Sequence, residues 1–68
     1  MILQATKNGR AGTVELSDAE AFALAQLCKR ISWSAARDLS VDEEETSLML
    51  NAADRVRGVL AEAGCAVR

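Results

Sequence analysis

The sequence contains no histidine, no tyrosine and no proline, and only one tryptophan, one phenylalanine and two cysteines. Histidine is the commonest general base and the usual metal ligand, so its absence argues against an enzyme or a metal centre. Cys28 and Cys65 are too few and too far apart for a disulfide framework or a zinc site. We therefore predict no catalytic residues, no metal and no cofactor, with both thiols acting as small hydrophobic groups.

Long apolar segments are missing as well. No run approaches the roughly 18 residues that a transmembrane helix requires, and the N-terminus lacks the basic and then apolar segments of a signal peptide. No low-complexity segment suggests a linker between domains. We expect a single domain over 1–68, located in reducing cytoplasm and without membrane contact.

The chain is short and rich in alanine. Its 68 residues are near the lower limit for independent folding, because so short a chain buries only about 60% of its unfolded surface. Half of the residues are hydrophobic, and 13 of these are alanine. This composition favours helices that pack closely through small side chains, with an oligomer or a partner adding stability.

Residues 1–16 are predicted to form a β-hairpin. Asn8-Gly9 is a strong hairpin signal because both central positions of a type I′ turn require positive φ. A turn centred there gives three apolar cross-strand pairs on one face: Met1 with Leu16, Leu3 with Val14, and Ala5 with Gly12. Since an isolated hairpin is marginally stable in water, this face is expected to lie on the rest of the protein.

A capping box is predicted at the start of the first helix. In Ser17-Asp18-Ala19-Glu20, the serine hydroxyl and the glutamate carboxylate can each accept from the other residue's backbone N–H. The helix should run to about Ile31 and carry one apolar stripe, formed by Ala21, Leu24, Leu27, Cys28 and Ile31. Ser32-Trp33-Ser34 then breaks the helix and caps a short second one over about 34–39.

The third helix is predicted from a second capping-box pattern, Ser40-Val41-Asp42-Glu43. It should end at about Ala63, before Gly64 in the left-handed C′ position. Its predicted core stripe contains seven residues: Leu48, Met49, Ala52, Val56, Val59, Leu60 and Ala63. The complete prediction is an α+β fold, in which the hairpin packs on a small bundle of two longer helices and one short helix over 17–64.

Three large apolar residues fit none of these stripes: Phe22, Trp33 and Leu50. One interpretation is that the hairpin and the short helix bury them, since two layers can cover more than one stripe. The other is an exposed contact patch for a protein partner or a second copy, with the aromatic residues as anchors. Monomer and homodimer are both compatible with the sequence.

Charge is distributed unevenly along the chain. The net charge is +2 over 1–37, −5 over 38–47 and +1 over 48–68. A DNA-recognition helix should present basic and amide side chains at its N-terminal end, whereas the third helix begins with acids. Direct nucleic-acid binding is therefore not expected, and the dispersed bases form at most a weak patch: Lys7, Arg10, Lys29, Arg30 and Arg37.

Four consecutive acids stand at the predicted start of the third helix: Asp42, Glu43, Glu44 and Glu45. Carboxylates in a first turn complement the helix dipole by about 0.3–1 kcal/mol each, so a helix cap is one interpretation. Asp38 adds a fifth acid, and no base four residues further on neutralises any of them. This excess predicts an anionic surface that binds a basic partner. Glu45 is in line with the core stripe and is expected to find Arg37 or the Trp33 indole N–H.

Four segments carry a resemblance to a known group: Leu16–Gln26, Lys29-Arg30, Val41–Glu44 and Leu60–Gly64. They are similar to short uncharacterised proteins carried by proteobacterial phages and mobile elements. The chain also resembles, in kind, anti-CRISPR proteins directed at type I surveillance complexes, which are small, locally acidic and non-catalytic. This resemblance implies binding to a Cas subunit and a block of target DNA binding.

The resulting prediction is a non-catalytic, phage-derived inhibitor that binds the basic surface of a protein, with a Cas protein as the candidate partner. Its predicted contact residues are Asp38, Asp42, Glu43, Glu44 and Glu45. One alternative is a small dimeric DNA-binding or transcriptional accessory protein that contacts DNA through the hairpin tip. Another is a self-associating structural module.

Overall fold

Two antiparallel strands and three helices follow one another along the chain in the computed structural model, which describes residues 1–66. The elements are β1 (Ile2–Lys7), β2 (Arg10–Glu15), α1 (Asp18–Arg30), α2 (Trp33–Leu39) and α3 (Glu43–Glu62). The predicted α+β fold, with an N-terminal hairpin, two longer helices and one short helix, is confirmed.

The hairpin has the predicted register. Asn8 and Gly9 have φ of 52° and 78°, as a type I′ turn requires. The strand pairs include Leu3 with Val14 and Ala5 with Gly12. At the open end, the Leu16 N–H donates to the Met1 carbonyl at 2.6 Å and the Met1 ammonium donates to the Leu16 carbonyl at 2.7 Å. The turn residues thus set the register of the whole hairpin.

The capping box of α1 is also confirmed. The Glu20 N–H donates to the Ser17 hydroxyl at 3.1 Å, and the Ser17 N–H donates to Glu20 Oε1 at 2.9 Å. The bond from the Ser17 backbone, with a smaller contribution from the Ser17 hydroxyl, lowers the pKa of Glu20 from its ordinary value of 4.5. Helix α1 ends at Arg30, where the Ile31 N–H still donates to the Leu27 carbonyl at 3.1 Å.

The prediction that Ser40 begins the third helix is wrong. Ser40 closes α2 instead, because its hydroxyl donates to the Arg37 carbonyl at 3.2 Å. The N-cap of α3 is Asp42, whose Oδ1 accepts from the Glu45 N–H at 2.8 Å. The short helix likewise begins at Trp33, one residue earlier than expected. Its N-cap is Ser32, whose hydroxyl accepts from the Ala35 N–H at 3.2 Å.

The C-terminal end of α3 has the predicted glycine stop. Gly64 has φ of 97°, a left-handed conformation that costs glycine little. The Cys65 N–H donates to the Leu60 carbonyl at 2.8 Å, and the Gly64 N–H donates to the Ala61 carbonyl at 3.0 Å. This pair of hydrogen bonds is a Schellman motif, which satisfies two carbonyls that the end of the helix leaves without partners.

The core lies where α3 packs on α1 and α2. The buried residues within 1–66 are small apart from one leucine: Ala21, Ala25, Ala36, Thr46 and Leu60. In α1 the predicted stripe is partly wrong, because Leu27 is 62% exposed while Ala25 is fully buried. Alanines at the contact allow the helix backbones to approach closely, which leaves larger neighbours at the edges of the contact.

The predicted core stripe of α3 is largely wrong. The inner face of α3 carries the residues of this helix that are buried or half-buried along its packed side: Thr46, Met49, Leu50, Ala53, Arg57 and Leu60. Five of the seven predicted residues are exposed: Leu48, Ala52, Val56, Val59 and Ala63. At 100° per residue, these five are centred roughly 100° away from the buried face. Both faces are apolar, and the position of α1 decides which one is buried.

The protein is flat. Its principal extents are 36 × 32 × 16 Å, with a radius of gyration of 13.0 Å, whereas a compact domain of this length would have a radius of gyration of about 11 Å. The strands pair with each other, but within 1–66 neither packs closely on a helix. The hairpin lies beside α3, and Val14 on its apolar face is 51% exposed.

Candidate protein-binding surfaces

The acidic end of the protein, formed by Asp38 and Asp42–Glu45, lies at the junction of α2 and α3. Asp42 Oδ1 accepts from the Glu45 N–H at 2.8 Å, and Glu45 Oε1 accepts from the Val41 N–H at 3.2 Å. These two carboxylates therefore bind the backbone donors at the start of α3. This part of the acidic run is a helix cap, as one of the two interpretations predicts.

The other three acids do not take part in this cap. Asp38, Glu43 and Glu44 are all exposed to solvent. The nearest base in the sequence, Arg37, donates from Nη1 to the Ser40 carbonyl at 3.3 Å. Three carboxylates are thus available to a partner at the end of the longest helix.

The expectation that Glu45 is satisfied by Arg37 or by the Trp33 indole is wrong. Glu45 accepts from the backbone N–H of Val41 instead, because an N-cap at Asp42 puts Glu45 at the N3 position, from which a carboxylate reaches back along the chain. Glu45 is consequently half-buried against its own helix end.

A buried threonine fixes the acidic end on the core. Thr46 has no exposed surface, and its hydroxyl donates to the Asp42 carbonyl at 2.9 Å. The Thr46 and Ser40 hydroxyls also lie within hydrogen-bond distance of each other. Because each has a single proton, the one that donates in this contact gives up its carbonyl acceptor. Because Ser40 ends α2 and Asp42 begins α3, this network sets the position of the corner between the helices.

The acids do not converge on a metal-sized site. Within 1–66, no group of three His, Cys, Asp or Glu side chains is arranged to hold a metal ion. Consecutive residues on a helix point in directions 100° apart, so the carboxylates surround the end of α3. Their arrangement presents negative charge to a partner surface.

A second charged feature is the tip of the hairpin. Lys7 and Arg10 are direct cross-strand partners on either side of the Asn8-Gly9 turn, and both are exposed. Like charges opposite each other destabilise a strand pair. An anionic partner would relieve that repulsion, so the tip and the acidic end are suited to partners of opposite charge.

The three apolar residues that fitted no predicted stripe have different environments. Phe22 and Trp33 are 44% and 48% exposed, so each presents about half of its side chain to solvent. Leu50 is half-buried, on the inner face of α3 that also carries Thr46 and Leu60. The two aromatic residues retain an accessible surface that a protein partner could cover.

The sequence interpretation missed an open apolar face. This face consists of the outer residues of α3 (Leu48, Ala52, Val56 and Val59) and the hairpin residues Leu3, Ala5 and Val14. A groove of about 290 Å³ separates the two parts, and Leu3 faces Val56 and Val59 across it. The hydrophobic periodicity of α3 did reveal these outer residues, but it assigned them to the core.

The structure contains no helix, among residues 1–66, of the length and hydrophobicity needed to cross a bilayer. No curated protein and no solved structure matches the chain. One family model does match, over residues 1–68, and it is described as a family of unknown function, DUF7706. Because that match covers the whole sequence, the chain belongs to the DUF7706 family.

Proposed function

We propose that this protein is a non-catalytic binding protein whose acidic end docks on a basic surface of another protein. The observation that carries the proposal is the excess of exposed carboxylate over what the helix cap uses. Asp42 and Glu45 bind the backbone at the start of α3, whereas Asp38, Glu43 and Glu44 face solvent. Clusters of this kind steer partners of opposite charge and accelerate their association.

The more specific form of the proposal rests on the resemblance in kind to anti-CRISPR proteins. It makes the chain a phage-derived inhibitor that acts in the bacterial cytoplasm and binds a Cas subunit of a type I surveillance complex. Such a subunit holds DNA through Lys and Arg side chains, since phosphate contacts supply most of the affinity for nucleic acid. An acidic end on a small protein would compete for those side chains.

The experiment for the general proposal is a charge reversal that leaves the helix cap intact. The double variant Glu43→Lys/Glu44→Lys changes two exposed acids and retains both capping residues, Asp42 and Glu45. A matched control, Asp54→Lys/Glu62→Lys, makes the same change of net charge at two other exposed positions of α3. Each purified protein is immobilised, and the proteins that it captures from a bacterial lysate are compared.

Wild type and the control are expected to capture the same basic protein, and the Glu43/Glu44 variant is expected to lose it, with affinity falling roughly tenfold or more. The captured complex should also weaken as salt rises, because exposed charges are screened. Equal capture by all three proteins would refute a role for the acidic end.

The specific form is tested with a purified type I surveillance complex and labelled target duplex. Wild type should prevent the complex from shifting the duplex in a gel, and the Glu43/Glu44 variant should not. A complex that binds DNA equally well with and without saturating wild-type protein would reject the Cas partner. That result would leave the general binding proposal to be judged by the capture experiment.

A second candidate function follows from the hairpin tip. The opposed pair Lys7 and Arg10 favours contact with a phosphate backbone, which would make the chain a DNA-binding accessory protein. Duplex binding at low salt that disappears in Lys7→Gln/Arg10→Gln would support this function. The logarithm of the binding constant should then fall steeply with the logarithm of the salt concentration.

A further inference from the structure

The protein exposes more surface in total than a soluble protein of its size normally leaves in water. The accessible surface is 5298 Å², whereas a soluble monomer of 7.3 kDa is expected to expose about 4,200 Å². The excess is roughly 1,100 Å², and a stable interface buries about 800 Å² on each partner. One chain therefore has enough surplus surface to form such an interface.

The apolar face is continuous across both parts of the molecule. The open surface of the hairpin and the groove beside α3 share Leu3 as a lining residue. That groove and the next one along α3, at Leu48 and Ala52, share Arg55. Val59 and Val14 are 58% and 51% exposed on this face, so large apolar side chains stand open along it.

We propose that a second copy of this chain covers the apolar face, so that the protein is a two-fold symmetric dimer paired through α3 and the hairpin. In a two-fold interface each residue meets the same surface of its partner, and a charged patch would meet its own charge. Among the described residues that line these grooves, Arg55 is the one with a charge. With this single charged residue in its lining, the face brings little like charge together when it pairs with itself.

The outer residues of α3 have the spacing of a helix–helix seam. Leu48, Ala52, Val56 and Val59 follow one another at intervals of four, four and three residues, which keeps them on one side of the helix. Ala52 is small, so two α3 helices could approach closely there. The acidic end lies at the start of α3 and remains outside this seam, so the pairing does not depend on the proposed binding activity.

Sedimentation equilibrium on the untagged full chain tests the pairing. Wild type should give twice the chain mass of 7.3 kDa over roughly 10–200 µM, the range for an interface of micromolar or tighter affinity. Val59→Glu should raise the dissociation constant of the dimer by about 100-fold. Ala61→Glu is the control, since Ala61 is exposed and lies about 160° around α3 from Val59.

The hairpin's share of the interface has its own pair of variants. Val14→Glu changes the apolar face and should weaken the dimer, whereas Thr6→Glu, at an exposed position of the opposite face, should leave it intact. A wild type that sediments as a monomer throughout, or a Val59→Glu variant as dimeric as Ala61→Glu, overturns the proposal. If the Val14→Glu variant dimerises with wild-type affinity, the hairpin lies outside the interface.

If a variant fails to fold, a measurement on wild type still tests the proposal. If folding depends on pairing, the melting temperature of wild type must rise with protein concentration, because association stabilises the folded state by mass action. A melting temperature independent of concentration, together with an unfolded Val59→Glu variant, would overturn the proposal as well.

Discussion

The contact between α1 and α3 differs sharply from the face that α3 shares with the hairpin. In the helix contact, most of the fully buried side chains are small, with Ala21 and Ala25 on α1 and Leu60 on α3. On the hairpin side, valines and leucines remain exposed although they are more hydrophobic. Burial in this protein therefore follows how closely a neighbouring element can approach.

Close approach explains why alanines are buried here. A helix pair with alanine at the contact brings its backbones together, and the close packing gains dispersion energy although each side chain is small. The hairpin has no such contact with α3, and a groove of about 290 Å³ lies between them. The comparison predicts that substitutions in the helix contact are costly and that similar ones outside it are mild.

The largest expected effect is that of Leu60→Ala. Leu60 is fully buried, so its truncation removes apolar contacts, leaves a cavity and should lower the free energy of unfolding by about 2–5 kcal/mol. The matched control is Leu27→Ala, in a residue that is 62% exposed, which should cost about 0.5 kcal/mol. Urea denaturation followed by circular dichroism gives both values, and a larger cost at Leu27 would contradict the helix contact described here.

The next effect is that of Ala25→Leu. Ala25 has no exposed surface, and a larger side chain there must push α1 away from its neighbour, at a cost of about 1–3 kcal/mol. Ala23→Leu, at an exposed position of the same helix, controls for helix propensity, which differs little between these residues. If the Ala25→Leu protein were as stable as the Ala23→Leu protein, the packing of α1 on its neighbour would be looser than the structure indicates.

Thr46→Val is expected to have a moderate effect. The substitution conserves shape but removes the hydroxyl that donates to the Asp42 carbonyl and lies within hydrogen-bond distance of the Ser40 hydroxyl. Groups left without partners in a partly buried site should lower the free energy of unfolding by about 1–2 kcal/mol. Thr6→Val, in an exposed residue of β1, should be nearly neutral in the same urea titration, and equal costs would argue against the network.

The smallest expected effect is that of Glu20→Gln on stability, and it depends on pH. The pKa of Glu20 is lowered in the folded protein by the Ser17 backbone and hydroxyl, so the carboxylate adds stability above its unfolded pKa. That contribution is lost as the pH falls through the lower, folded pKa. Glu20→Gln should therefore be less stable than wild type at pH 7, and the difference should vanish in strong acid. Urea midpoints measured from pH 7 to pH 2 check this, and a constant difference would contradict it.

Local signals in the sequence predicted the elements well. The Asn8-Gly9 turn, the Ser17 capping box and the Gly64 stop all act within a few residues, and each is where the sequence placed it. The start of α3 was two residues off because Ser40 and Asp42 are both good capping residues. The Ser40 hydroxyl donates to the Arg37 carbonyl and so ends α2, which leaves Asp42 as the N-cap of α3.

The buried face of α3 could not be predicted in this way. Periodicity identified a genuine apolar stripe through Val56 and Val59, but α3 has a second one through Leu50 and Leu60. Which stripe is covered depends on where α1 lies, and that is a long-range property of the fold. The same limit applies to the candidate site: the spacing of the acids suggested exposed charge at Glu43 and Glu44, whereas nothing local marked the groove beside the hairpin.

The flatness of the protein has a thermodynamic consequence. The heat capacity change of unfolding arises mainly from newly hydrated apolar surface, and it is normally about 12–15 cal/mol/K per residue. A slab whose Cα atoms span 36 × 32 × 16 Å already has much of that surface in water, so a single chain should unfold with a smaller change. Its stability would then vary with temperature along a broad, shallow curve. A heat capacity change of ordinary size, measured by calorimetry, would mean that the slab is covered when folded.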